Sequence, residues 1–125
     1  MIKTKLLIID DRESVRQALE ARLGKAPEIE LVGSTGSSQE GLKLVGEKKP
    51  DVVLLEVKIA DGSGLETCRQ IVAGGASVII LTSYLDEAER QAAFEAGASR
   101  YVLKNIDSER LIKAIQAVRS DQRRG

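Results

Sequence analysis

Charged and hydroxyl side chains follow four apolar segments of this chain, at the points where those segments end. Asp10 and Asp11 come directly after "KLLII", and Glu56 follows "VVLL". Thr82 follows "VIIL", and Lys104 follows "YVL". Carboxylate oxygens favour a hard divalent cation such as Mg²⁺, whereas lysine and hydroxyl donors suit the oxygens of a phosphoryl group. The set therefore predicts a site for a metal ion, a phosphoryl group or both.

Three negatively charged carboxylates in one site repel one another, so the site needs a nearby positive charge. Two unit charges about 5 Å apart repel by about 3 kcal/mol at an effective dielectric of about 20. A metal ion or a lysine would offset this repulsion. Taken alone, each of these residues also fits a purely structural role. An Asp-Asp pair after a strand, for example, often caps a helix. Their joint occurrence, each at the end of an apolar run, favours a site.

The apolar segments that carry these residues are predicted to be strands. Five of them recur along the chain and lie at 5–9, 30–34, 52–55, 78–81 and 101–103. Stretches with apolar residues at helical spacing separate them, as at Val15, Leu19 and Leu23. This alternation predicts an α/β fold of three layers, with a parallel sheet between helices. The second apolar segment, at 30–34, is the most mixed in composition, since it contains Glu30 and Gly33. It is therefore expected near a sheet edge.

Local signals predict where the helices begin and end. Ser37 and Ser63 start the capping boxes "SSQE" and "SGLE". Asp86 and Asp107 are expected N-caps, and Gly97 is an expected helix stop. Because ligands of an open parallel sheet bind beyond the carboxyl ends of its strands, the acids, the hydroxyl and the lysine are predicted to meet at one edge.

Composition narrows the class of protein. The 125 residues suit one domain, and the absence of histidine excludes histidine catalysis and histidine metal sites. The single Cys68 cannot form an internal disulfide and is expected in the core. Lys plus Arg and Asp plus Glu are balanced at 19 each, which gives no global attraction to nucleic acid or an anionic membrane. The first apolar run is too short to span a bilayer, so we expect a cytoplasmic protein.

The whole chain resembles a receiver domain of a two-component response regulator. The segments "IIDD", "PDVVLLEVKIADGSGLE", "VIILTS" and "GASRYVLK" are similar to that family's successive motifs. "GLE" and "GASRYVLK" resemble the LuxR/NarL class in particular. The resemblance implies a flavodoxin-like (βα)₅ fold with strand order 2-1-3-4-5. It implies a receiver domain over residues 1–119 and the start of a linker at 120–125, toward an output domain. From their position alone, Arg119, Arg123 and Arg124 are interpreted as a solvated helix end.

The resemblance also implies a chemistry. In the family, an aspartate takes a phosphoryl group from a phosphohistidine on a sensor kinase, with Mg²⁺ bound. Asp10 and Asp11 match the acidic metal pair. With Glu56 and the backbone carbonyl of Lys58, they are the ligands expected for a weak Mg²⁺ site.

Three further residues match positions with roles in the family. Thr82 and Lys104 match the hydroxyl and the ammonium that contact the phosphoryl group. Tyr101 matches the aromatic switch residue, which turns inward when the threonine moves. With Glu56 reaching Lys104, Tyr101 is expected to lie inward. No residue is expected to be catalytic, and the chain is not expected to be an enzyme.

Two residues depart from the family pattern. Glu56 stands at the phosphoacceptor position, where the family has aspartate, and Ala60 stands where it usually has proline. The extra methylene moves the carboxylate about 1.5 Å further out. Phosphorylation is therefore not expected, and the carboxylate is expected to imitate the phosphorylated state in part. Natural divergence and deliberate replacement of the aspartate both fit, and Ala60 favours the first.

Other classes of function stay open. One is an interaction-only pseudo-receiver with a vestigial pocket. Another is a small aspartate-type phosphatase, although "DDR" lacks the Asp-x-Asp spacing of such enzymes. A third is a nucleotide-binding flavodoxin-like domain, although no glycine-rich loop follows the first strand.

The resemblance implies partners as well. A sensor histidine kinase is the family's phosphodonor, although phosphotransfer is not expected here. The surface of the fourth helix, fifth strand and fifth helix is expected to bind a second copy or an output domain. DNA would be bound only through a domain outside this chain, and no membrane partner is expected.

Overall fold

The structure is a computed structural model that describes residues 2–61 and 63–124, with side chains described up to Arg119. Strands and helices alternate along this part of the chain, as predicted. Their bounds are β1 (Thr4–Ile9), α1 (Glu13–Leu23), β2 (Ile29–Thr35), α2 (Ser38–Lys48), β3 (Val52–Leu55), α3 (Gly64–Ala73), β4 (Ser77–Thr82), α4 (Glu87–Glu95), β5 (Arg100–Leu103) and α5 (Ser108–Arg124). Among the described residues, no helix has the length and apolar character needed to cross a bilayer.

The strands form one parallel five-stranded sheet in the order β2-β1-β3-β4-β5. This is the fold and the strand order expected from the sequence. β3 lies at the centre and all its residues are buried, whereas most residues of the edge strand β2 are only partly buried. The mixed composition of β2 is thus explained by its edge position.

Alternate residues of each strand pack on opposite faces of the sheet. On one face, Leu7, Val53 and Ile80 pack with residues of α3 and α4. On the other, Leu6, Leu54 and Leu81 pack with residues of α1 and α5. Burying both faces fixes the register of the central strands, because a slip by one residue would exchange the two faces.

Cys68 belongs to the core, as predicted. Its side chain is fully buried, and its thiol donates a hydrogen bond to the Ala96 carbonyl at 3.8 Å. Burial raises the pKa of Cys68 to about 11. A thiol in such surroundings is inert, so its role is packing.

The predicted helix caps are confirmed. Ser37, Ser63, Asp86 and Asp107 each accept a hydrogen bond from the backbone N–H three residues ahead, at 3.1, 3.3, 3.0 and 2.8 Å respectively. Gly97 follows the end of α4 with φ of 102°, a conformation that favours glycine.

The predicted boundary between the domain and a linker, after residue 119, falls within α5. The helix continues to Arg124, so residues 120–124 are helical, and the boundary itself stays a prediction. "RSDQRR" contains neither glycine nor proline, and Arg and Gln favour helices, so nothing stops α5 at Arg119. Arg119 is not solvated: its side chain is 11% exposed and pairs with Asp51 at 3.5 Å. The side chains of Arg123 and Arg124 lie outside the described set.

The loop after β3 folds back tightly on the start of α3. Gly64 begins α3 against the backbone of Val57, where an added Cβ would collide. Gly46, in α2, has no atom within 4 Å of the position its Cβ would take. Gly64 therefore serves the close approach of two backbone segments next to Glu56, whereas Gly46 serves no such contact.

We predict opposite effects of adding a methyl group at these two glycines. Gly64→Ala should lower the free energy of unfolding by about 1–3 kcal/mol, because the collision is with backbone that cannot move aside cheaply. Gly46→Ala should raise it by about 0.5–1 kcal/mol through helix propensity. Urea denaturation followed by circular dichroism measures both, and equal effects would contradict this view of the loop.

Candidate functional site

The site residues lie at the carboxyl edge of the sheet because the strand ladders continue into them. The backbone N–H of Glu56 donates to the Ile9 carbonyl at 3.0 Å, which places Glu56 beside Asp10. The backbone N–H of Lys104 donates to the Thr82 carbonyl at 2.8 Å. The parallel register thus brings residues from β1, β3, β4 and β5 to one edge, as the sequence predicted.

A single ammonium group bridges two carboxylates at this edge. Lys104 Nζ lies 2.7 Å from Asp10 Oδ2 and 2.7 Å from Glu56 Oε1. The side chains of Lys104, Asp10 and Glu56 are only 14%, 3% and 9% exposed. Burial alone would lower the pKa of Lys104, but the hydrogen bonds and charges of Asp10 and Glu56 outweigh burial and raise it. The Lys104 ammonium is therefore charged at neutral pH.

Backbone N–H groups engage the remaining carboxylate oxygens. Asp10 Oδ1 accepts from Arg12 N at 2.9 Å, and Glu56 Oε2 accepts from Lys58 N at 3.0 Å. Asp11 Oδ2 accepts from Ala60 N at 3.2 Å. The last bond needs a backbone N–H at position 60, which a proline there would not supply.

This arrangement does not fit a metal ion as it stands. Among residues 2–61 and 63–124, no group of three or more acidic, cysteine or histidine side chains is placed to hold one. Asp10 and Glu56 share the Lys104 ammonium, while Asp11 is drawn toward Ala60. Lys104 thus already supplies positive charge to two of the predicted ligands.

Thr82 and Tyr101 contact the loop between β4 and α4. The Thr82 hydroxyl donates to the Tyr84 carbonyl at 3.1 Å. Tyr101 is half-buried against the core, and its hydroxyl donates to Glu89 Oε1 at 2.7 Å. Burial, followed by the bond to Glu89, raises the pKa of Tyr101. The phenol therefore lies against the start of α4 and does not extend into solvent.

An open pocket of about 110 Å³ lies beside Glu56. Its lining includes Asp11, Glu56, Lys58, Thr82 and Tyr84. Tyr84 is 74% exposed and stands at the rim. The pocket is thus small, polar and accessible from solvent.

Two residues that shape this edge were not singled out in the sequence. Asp61 accepts from the backbone N–H of Ser38 at 3.1 Å and so caps α2 from the β3–α3 loop. That bond is the first cause of the lowered pKa of Asp61. Glu89 holds Tyr101. Both contacts join segments that are distant in sequence, and no local pattern signals them.

The ion pairs of Lys104 with Asp10 and Glu56 should contribute measurably to the free energy of unfolding. Lys104→Met should lower the free energy of unfolding by about 3 kcal/mol, because it leaves two buried carboxylates without their cation. Lys113→Met is a matched control, since Lys113 is 72% exposed and pairs with Glu109 at 3.3 Å. It should cost less than about 1 kcal/mol. Similar costs in urea denaturation would mean that Lys104 is no more than a surface lysine.

Known proteins are similar to this chain in sequence. A sequence profile of the response regulator receiver domain matches residues 6–116. The DNA-binding transcriptional activator DevR/DosR of Mycobacterium tuberculosis is 39% identical over 116 residues, which are 91% of this chain and 54% of that protein. The transcriptional regulatory protein LiaR of Bacillus subtilis is 36% identical over 115 residues, with 90% and 54% covered. The chain spans about half the length of these curated relatives.

Solved structures share the fold. A LuxR-family two-component response regulator from an Aurantimonas species superposes with a TM-score of 0.87 at 30% identity, over 95% of this chain and 86% of that one. A CheY-like receiver domain protein from Methanospirillum hungatei superposes with a TM-score of 0.84 at 22% identity, over 99% and 98%. The second likeness shows the fold alone. With the matching profile, these similarities show that the chain belongs to the response regulator receiver domain family.

Proposed function

We propose that this chain is the receiver domain of a transcription-regulating response regulator in which an internal ion pair, in place of a phosphoryl group, sets the state of the pocket. The relatives are transcriptional regulators by name, which supports the first part. The observation that carries the second part is the contact of Glu56 Oε1 with Lys104 Nζ at 2.7 Å. Glu56 thereby reaches the lysine that the resemblance assigns to the phosphoryl group.

The geometry around Glu56 opposes phosphoryl transfer. Both of its carboxylate oxygens are engaged, one by Lys104 and the other by the Lys58 N–H. In-line transfer needs an attacking oxygen in near-attack position, and an error of about 1 Å can cost about 100-fold in rate. An interaction-only pseudo-receiver is the second candidate, since each of Asp10, Asp11 and Glu56 has a donor within the chain.

The partners follow from the family. A sensor histidine kinase is the proposed upstream contact, without phosphotransfer to Glu56. The surface of α4, β5 and α5 is the proposed site for a second copy or for an output domain. Since the relatives are about twice as long as the matched region, we propose that DNA is bound through such a domain.

We predict that the chain is not phosphorylated by a small phosphodonor. Incubation with Mg²⁺ and acetyl phosphate should leave the intact mass unchanged, because Glu56 carries its carboxylate beyond the acceptor position and Lys104 holds it. Mass spectrometry of the intact protein measures this. Stoichiometric gain of one phosphoryl group on Glu56 would refute the proposal.

Two variants calibrate that experiment. Glu56→Asp restores the family's acceptor and should become at least partly phosphorylated. Glu56→Asp combined with Ala60→Pro also removes the N–H that engages Asp11, and should be phosphorylated faster. If both variants stay unmodified, neither departure from the family pattern is what prevents the transfer.

A divalent cation should bind weakly and in competition with Lys104. Titration of the chain with Mg²⁺ should show low affinity, because the cation must displace an ammonium held by two carboxylates. Lys104→Ala should bind Mg²⁺ more tightly, and Lys113→Ala should bind it as the unaltered chain does. Isothermal titration calorimetry measures all three, and an affinity unchanged by Lys104→Ala would show that Lys104 and the cation do not compete.

A further inference from the structure

Glu89 stands between the pocket rim and the aromatic residue of β5. Its side chain is 11% exposed, although it belongs to the first turn of a surface helix. Oε1 accepts from the Tyr101 hydroxyl at 2.7 Å, and Oε2 lies 3.9 Å from Lys58 Nζ. One carboxylate therefore contacts residues from two other segments, one after β3 and one in β5.

The turn that carries Glu89 is itself fixed. The backbone N–H of Glu89 donates to Asp86 Oδ1 at 3.0 Å, which caps α4. The Tyr101 hydroxyl also accepts from Asp86 N at 3.3 Å, so the phenol bonds both the cap and the first turn. A short bond between a phenol and a carboxylate is stronger than a neutral one. Tyr101 is thus held by a charged acceptor at a rigid helix end.

Lys58 joins this pair to Glu56 in two ways. Its backbone N–H donates to Glu56 Oε2 at 3.0 Å, while its side chain pairs with Glu89. The side chain is 64% exposed, so the ion pair adds little to stability. Its backbone and its side chain thus place one residue in contact with both Glu56 and Glu89.

We infer that Glu89 is a positioning residue that holds Tyr101 against the β4–α4 loop, and that Lys58 couples this pair to Glu56. The path runs from Glu56 through Lys58 and Glu89 to Tyr101, and it does not pass through Thr82. The inference rests on the proposed function and on the resemblance, which matches Tyr101 to the aromatic switch residue of the family. Besides the route through Thr82, this path is a second physical connection between the pocket and the surface of α4, β5 and α5.

Tyrosine NMR tests the first link. The chain has two tyrosines, so protein labelled with ¹³C at tyrosine Cζ should give one signal for Tyr101 and one for Tyr84. Glu89→Gln keeps the size of the side chain and removes its charge, and it should shift the Tyr101 signal while the exposed Tyr84 stays unchanged. Glu87→Gln is the matched control, on the same turn with a side chain 80% exposed. Equal responses to the two variants would overturn the role of Glu89.

A double-mutant cycle excludes a merely structural effect. Glu89→Ala should lower the folding equilibrium constant about tenfold when Tyr101 is present, the worth of a hydrogen bond to a charged group. In a Tyr101→Phe background, the same change should cost much less. Costs that are equal in both backgrounds would show that Glu89 acts without Tyr101.

The second link is tested at Lys58. Glu56→Gln should shift the Tyr101 signal, and Lys58→Ala should remove most of that response while leaving its own backbone N–H on Glu56. Lys113→Ala should leave the response intact. An undiminished response in Lys58→Ala would assign the coupling to Thr82 and overturn the path. These spectra need no phosphodonor, so they are independent of whether Glu56 can be phosphorylated.

Discussion

The ammonium of Lys104 is the interaction on which the functional edge depends. Asp10 and Glu56 end neighbouring strands and are almost fully buried, so their charges would oppose folding without a cation between them. Lys104 follows β5 and reaches both at 2.7 Å across the end of β4. One side chain thereby ties together the ends of β1, β3 and β5 and supplies the positive charge between the two acids.

Much of this could be predicted from the sequence because the signals are local. Apolar runs separated by stretches of helical period predicted every strand, and serine or aspartate at the N-cap predicted four helix starts. The convergence of Asp10, Glu56, Thr82 and Lys104 followed from strand polarity alone, since parallel strands end at one edge. The contact of Glu56 with Lys104 followed from the extra methylene and is present in the structure.

What the sequence did not predict depends on contacts across the fold. The bond from Ala60 N to Asp11 arises because the loop after β3 folds back against β1, which no local pattern encodes. The cap that Asp61 gives α2 and the bond between Glu89 and Tyr101 likewise join distant segments. The residue at which α5 ends was not predicted, because its last turns are polar and carry no apolar period that would mark the end. Together these contacts make a receiver pocket whose carboxylates are satisfied from within the chain.

A double-mutant cycle on the free energy of unfolding tests this account most directly. The single variants are Glu56→Gln and Lys104→Met, compared with their combination in urea denaturation at neutral pH. We expect a coupling of about 1.5–3 kcal/mol, the worth of a hydrogen bond to a charged group, even though Asp10 remains as the second partner of Lys104. Additivity within about 0.5 kcal/mol would show that Glu56 and Lys104 act independently, and would contradict the claim that this pair sets the state of the pocket.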